Sequence, residues 1–145
     1  MGRLLLAISM VFFLIAGDLD FQRHQESRAA MQSQAGQFWA NQMLTLANRG
    51  NDLRYRTGQT SGTLPLSQLA LPFTLDSRIQ HQLLKGRLWV WMPEQPGLID
   101  ALRAQSRGSA LIGTLESGQL LWLSGQATGL TAPQGVPDGA VVYLN

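Results

Sequence analysis

Hydrophobic residues are not spread evenly along this chain. The first pattern is an unbroken apolar run, "LLLAISMVFFLIAG" from Leu4 to Gly17, in which Ser9 is the single polar side chain. At about 1.5 Å per residue this run makes a helix of roughly 21 Å, short of the ~30 Å hydrocarbon core of a bilayer. Its flanks lengthen it: Met1 and Gly2 precede it, and Leu19 and Phe21 extend it, so that residues 1–21 reach about 31 Å. Arg3 can snorkel to one interface, and Asp18 and Asp20 fall at the other, where a charge costs far less than at the bilayer centre.

Three readings fit this segment. As a cleaved signal peptide it has a poor cleavage site, because Leu14 or Ile15 would stand where a small residue is needed. As a buried helix of a soluble domain it is unusual, being apolar on every face. As an uncleaved anchor it meets neither difficulty. We therefore expect an amino-terminal membrane anchor over residues 1–21 and one domain over residues 22–145. Counting Lys and Arg on the two sides does not fix the orientation; the signal-like layout places the amino terminus inside and the domain outside.

The pattern then takes a helical period. Met31, Ala35, Phe38, Trp39, Met43 and Leu46 recur at steps of three and four, opposite Ser33, Gln34, Gln37, Asn41 and Asn48. This predicts a helix over 22–49 with that stripe facing the core. "NRGND" at 48–52 suits a helix end, and Gly36 weakens the helix by about 1 kcal/mol relative to Ala. "TGQTSGTLP" at 57–65 is a polar connection, and "LPLSQLALP" holds one short helical turn between Pro65 and Pro72.

From there the period falls to two. In "GRLWVWMP", Leu88, Val90 and Met92 alternate with Arg87, Trp89 and Trp91, which predicts a strand. "RIQHQLL" is its expected partner, turning at Lys85-Gly86. "EQPGLIDALRAQSRG" predicts a short helix opened by Pro96 and closed by Gly108, with Leu98, Leu102 and Ala101 inward. "SALIGTLESGQLLWLSG" is a hairpin about Ser117-Gly118, residues 124–138 are a loop, and "DGAVVYLN" is a last strand. The expected fold is α+β: a long amino-terminal helix packed on a small, mainly antiparallel sheet with one inserted helix, the general plan of pilins.

Composition removes several function classes. The chain has 145 residues and a net charge of +2, and its bases form no run, so nothing points to nucleic acid. Arg49, Arg54 and Arg56 are the densest group and, diluted by Asp52, suit a solvated helix end. There is no cysteine, which excludes disulfides and thiolate chemistry. Gln is abundant, at 15 residues, while charged residues are 14%; this balance suits an interaction surface better than a strongly charged enzyme.

Catalytic constellations are equally sparse. Neither His24 nor His81 has a metal-ligand partner at the required spacing, and His81 beside a strand is most simply a partly exposed polar residue. No nucleophile elbow, phosphate loop or paired carboxylates occur. We therefore expect no enzyme activity, no cofactor, no metal and no small-molecule substrate. The sharpest candidate is Arg87, Trp89 and Trp91, which share one face of their strand. Exposed, that face would be a partner-binding patch, since Trp is favoured at interface hot spots and Arg stacks on it. The competing structural reading packs the same face under the amino-terminal helix, with Arg87 over the indoles.

The anchor, the helix running on from it, "GTLPLSQLALP" and "GRLWVWMPEQPGLIDALRAQSRGSALIG" together resemble the PilM family of type IVB (thin) pilus clusters, found on conjugative plasmids and some Gram-negative chromosomes. The resemblance runs through nearly the whole chain and carries no catalytic signature. It is not a resemblance to the actin-like, ATP-binding PilM of other type IV pilus systems. It implies a single-pass inner-membrane protein of a pilus assembly apparatus, with its domain in the periplasm, supporting mating-pair formation. The implied partners are other pilus assembly proteins or pilins. A prepilin leader is not supported, because the fifth residue after Gly2 is Ala7 and not an acid. Two alternatives stand beside this reading: a secreted or periplasmic enzyme or ligand-binding domain released by signal cleavage, and a minor pilin.

Overall fold

The computed structural model describes residues 2–108 and 111–145, with side chains described from Glu26 onward. The expected anchor over 1–21 lies outside the residues whose side chains are described. Among the described residues, no helix is long and apolar enough to cross a membrane.

Helix α1 runs from Gly2 to Thr57, then α2 from Leu66 to Leu69, and α3 from Leu98 to Gln105. The strands are β1 Gln80–Leu84, β2 Arg87–Pro93, β3 Ile112–Glu116, β4 Gln119–Trp122, β5 Ala127–Thr131 and β6 Ala140–Leu144. All six form one sheet in the order β1-β2-β6-β3-β4-β5, with every pair antiparallel. The fold is thus α+β, a long amino-terminal helix with an antiparallel sheet. The last strand of the chain lies in the middle of the sheet, where it joins the β1–β2 hairpin to the β3–β4 hairpin.

Both hairpins turn where the dipeptides predict. Lys85 and Gly86 have φ of 50° and 76°, and Ser117 and Gly118 have 50° and 79°. Two successive positive-φ residues match the right-handed twist of the flanking strands, and glycine at the second position lowers the strain.

One face of the sheet packs on the helices. Leu83, Leu88, Val90, Met92, Ile112 and Val141 meet Ala40, Met43, Leu46, Ala47 and Leu53 of α1, and Leu98, Ala101 and Leu102 of α3. The helix differs from expectation in two ways. It does not end at "NRGND" but continues to Thr57, where the Gly58 N–H bonds the Arg54 carbonyl at 2.8 Å. Gly50 is a packing residue: a Cβ there would stand 2.9 Å from methyls of both Leu64 and Leu88.

The expected apolar stripe holds at Met43 and Leu46, which are buried, and is displaced before them. Met31 and Phe38 are exposed, at 70% and 57%, whereas Gly36, Ala40, Met43, Ala47 and Gly50 are buried. Small residues line the contact because the backbones come close. A Cβ on Gly36 would lie 2.4 Å from the Gly97 carbonyl oxygen, and one on Gly97 would lie 2.7 Å from the Gln32 carbonyl oxygen. Gly36 thus weakens the helix locally while letting α1 seat on the start of α3.

Residues 124–138 are not wholly a loop. Ala127–Thr131 pairs with β4 through a register shift and forms the open end of the sheet.

Candidate functional site

Strand β2 is buried along both faces, from Leu88 to Met92. Leu88, Val90 and Met92 face α1, so the period of two sends Trp89 and Trp91 to the opposite side. The indoles do not pack under the amino-terminal helix, and they are not an exposed patch: Trp89 is 2% exposed and Trp91 6%. They join Leu120, Ala140, Val142 and Leu144 in a second core, flanked by Leu84, Trp122, Leu130, Ala132 and Val136. The residues that cover this face come from β4, β5 and the segment after it. The sheet curls over its own second face.

Gly113 in β3 is where that curl is permitted. A Cβ there would be 2.5 Å from the Leu121 carbonyl oxygen on the neighbouring strand. A strand glycine at such a close approach marks a bend that any other residue would block.

The curl brings opposite ends of the sheet together. A cavity of about 320 Å³ is lined by Leu84, Lys85, Arg87 and Trp89 from the β1–β2 hairpin and by Gly129, Leu130 and Thr131 from β5. Of the three predicted site residues, Arg87 and Trp89 meet in this cavity, while Trp91, buried in the same core, does not line it. Arg87 and Lys85 are exposed at the rim, and Trp89 forms the buried wall.

The hairpin carrying these cations is firmly held. Arg54 Nη1 donates to the Gly86 carbonyl, the Gly86 N–H donates to the Thr60 carbonyl at 3.0 Å, and Leu88 and Asn145 exchange two backbone bonds. Gly62 pairs with Leu83 and covers the outer edge of β1. Arg54 is therefore not merely part of a solvated helix end. Nor is Arg49, whose Nη1 donates to the carbonyls of Ala70 and Leu69 and ties α1 to α2. Arg56 remains exposed.

Arg54, Lys85 and Arg87 thus gather about one turn. Among the described residues none of the three has a carboxylate partner; the ion pair described is Arg78–Asp76, at 3.0 Å.

That ion pair belongs to a different cluster, which pins the segment before β1 to α1. Trp39 Nε1 and Arg78 both donate to Asp76, the Asp76 N–H donates to buried Gln42 Oε1 at 2.9 Å, and the Arg78 guanidinium lies 4.8 Å from the Trp39 ring centre. Hydrogen bonds from Arg78 hold the Asp76 carboxyl down at about 2. His81 is half-buried, and its Nε2 accepts from the Leu64 N–H at 3.0 Å; burial pushes its pKa below the ordinary imidazole value. Both are structural tethers. Among the described residues, no group of three or more His, Cys, Asp or Glu side chains could hold a metal ion.

A larger groove of about 600 Å³ lies between α1 and α3, with Ala29, Ser33, Gln37, Gly97 and Ala104 in its walls. Asp100 is the single charged group lining it, and its other walls are small or amide side chains. The charged cavity combines more of the features that recognition needs.

Sequence reasoning missed Lys85 and the β5 residues of this site. Lys85 was visible only as a turn residue, and "ATGLT" is too short and too mixed to signal a strand.

The family model for PilM matches residues 10–144. A crystal structure of a PilM protein from Escherichia coli B7A is 32% identical, with a TM-score of 0.68, covering 79% of this chain and 94% of that one. A second, of a pilM protein from Pseudomonas aeruginosa 2192, is 28% identical with a TM-score of 0.47, covering 73% of this chain and 90% of that one. No curated protein matches. The match over nearly the full length shows that this chain belongs to the PilM family.

Proposed function

We propose that this protein is a membrane-anchored, non-enzymatic component of a type IVB (thin) pilus assembly apparatus, acting through protein–protein contacts and supporting conjugative mating. The observation that carries the reading is the family match across residues 10–144, joined to the 32% identity with the Escherichia coli PilM structure. The anchor is residues 1–21, and residues 22–145 form the working domain, on the periplasmic side of the inner membrane. The apolar run from Leu4 to Gly17, within a helix that continues unbroken to Thr57, supports this arrangement. Helix on antiparallel sheet is also the plan of pilins; a shared plan does not by itself assign a shared role.

The test is deletion of the gene from a strain that carries the pilus cluster, followed by counts of sheared pili and of mating frequency. Both are expected to fall and to recover with the full-length gene, but not with residues 22–145 exported without the anchor. Unchanged pili and mating in the deletion would contradict the reading. Recovery of the protein in the sheared pili would replace an assembly role by that of a minor pilin.

A further inference from the structure

We propose that the seam where the sheet's two ends meet without pairing is a docking place for an acidic, extended polypeptide segment. This deepens the protein-contact reading above and rests on it. Four observations converge at one spot.

The first is the seam itself. β5 is last in the strand order and β1 is first, yet residues of β5 and of the β1–β2 hairpin line the same cavity. The sheet stops short of closing into a barrel. An unpaired sheet end at such a gap leaves room for one more extended segment, which gains specificity from alternate side chains.

The second is asymmetry between the two ends. Gly62 already covers β1, whereas β5 pairs with β4 alone and leaves Gly129 and Thr131 exposed. An added segment therefore lies beside β5, held there chiefly by side chains, because that edge is bulged, Gly129 has φ of 73° and the Leu130 N–H already donates to Thr128 Oγ1.

The third is charge. Lys85 and Arg87 line the cavity, Arg54 holds the turn beside them, and no carboxylate is among the lining residues. Lys85 and Arg87 thus bring two exposed cations to the lining, and both attract an incoming carboxylate. Arg offers a forked donor for bidentate binding of such a group.

The fourth is size and wall chemistry. About 320 Å³ is at the lower end for ligand sites, enough for one or two side chains rather than a large cofactor. Trp89 and Leu130 supply apolar walls for the carbon stem of a Glu. The segment that fits has acidic residues on the face turned toward the hairpin, at every second position.

The experiment uses the full-length chain in neutral detergent and two acetylated peptides, one alternating Glu and Thr, the other Lys and Thr. Binding is read by fluorescence anisotropy, and the site by amide and indole NMR shifts. The Glu peptide is expected to bind, to weaken as salt is raised, and to shift Gly129, Thr131 and the Trp89 indole N–H. The Lys peptide is expected not to bind. Lys85→Glu with Arg87→Glu should weaken the Glu peptide by roughly tenfold or more and let the Lys peptide bind. Both positions are exposed, so the melting temperature should hold; Lys85→Gln with Arg87→Gln serves if the reversal unfolds the chain.

Equal binding of the two peptides, affinity unchanged by the substitutions, or shifts confined to other residues would each overturn the proposal. So would phosphatidylglycerol vesicles that shift these residues when the Glu peptide does not, which would make the site a lipid contact. Because this readout is independent of pilus counts and mating, failure here leaves the pilus reading standing, and failure there leaves the binding result standing.

Discussion

The two faces of the sheet are buried by different means. On one, α1 and α3 cover Leu88, Val90 and Met92, and the fit depends on small residues that let the helices approach. On the other, no helix is present among the described residues: Trp89 and Trp91 are covered by β4, β5 and the chain beyond, brought round by the curl of the sheet. A helix-covered face is sealed along the strand. A curled face ends in a seam, and the seam is where the cavity and its cations lie. Burial by curling therefore yields both a core and a charged opening, whereas the opening on the helix side, between α1 and α3, is lined mostly by small and amide side chains.

The sharpest way to break this comparison is to remove one side chain from each face. Trp89→Ala should destabilise by roughly 3–5 kcal/mol and Leu88→Ala by roughly 2–5 kcal/mol in chemical denaturation, since both are almost fully buried. A Trp89 variant of nearly native stability would mean that the curled face is open in solution.

Glycine substitutions test the close approach on the helix-covered face. Gly36→Ala places a methyl 2.4 Å from a backbone oxygen and should cost about 1–3 kcal/mol. Gly50→Ala meets only the ends of Leu64 and Leu88, which can shift, and the gain in helix propensity of about 1 kcal/mol offsets the crowding. Thermal melts of the pair should therefore differ clearly, with Gly36→Ala the lower.

Arg54→Met should cost about 1–2 kcal/mol, because it leaves the Gly86 carbonyl without its charged donor. The turn holding Lys85 should also loosen, which hydrogen exchange at Gly86 would report.

The smallest effects are on pH. His81 has a lowered pKa in the fold, so the unfolded chain binds its proton more tightly; stability should decline as pH falls below the ordinary value of 6.5. Asp76 is held at about 2 against an ordinary 3.8, so its contribution is complete above 3.8 and is lost as pH falls toward 2. Solvent screening keeps the Asp76 share below about 1 kcal/mol. Asp76→Asn should remove the acid step and leave the His81 step in place, as measured by melts across pH.

The sequence made the local devices legible and the long-range ones not. Lys85-Gly86 and Ser117-Gly118 named both hairpins because positive-φ turns have a strict residue preference. Alternation from Arg87 to Met92 named β2, but alternation says only that two faces differ, not what covers each. That depends on α1 seating by Gly36 and Gly50, and glycine in a helix more often signals an end than a contact. Met43 and Leu46 fitted the helical period and are buried, whereas Met31 and Phe38 fitted it and face solvent, because toward the amino terminus the contact is made by Gly36 and Ala40. The central place of β6, and the meeting of Lys85 with Gly129, come from pairings between distant segments that leave no mark in either segment alone.

The curl that brings β5 beside the β1–β2 hairpin is the feature on which both the second core and the cavity depend. The chain has no cysteine, so Lys85→Cys with Thr131→Cys supplies the two reactive thiols and no others. Treatment with a short bis-maleimide should join them within one molecule, giving a faster-migrating band on denaturing gels, while Lys85→Cys with Glu116→Cys serves as a second pair outside the cavity lining. Efficient intramolecular joining of residues 85 and 131 is the predicted result; none under the same conditions would contradict the curled face and the site built on it.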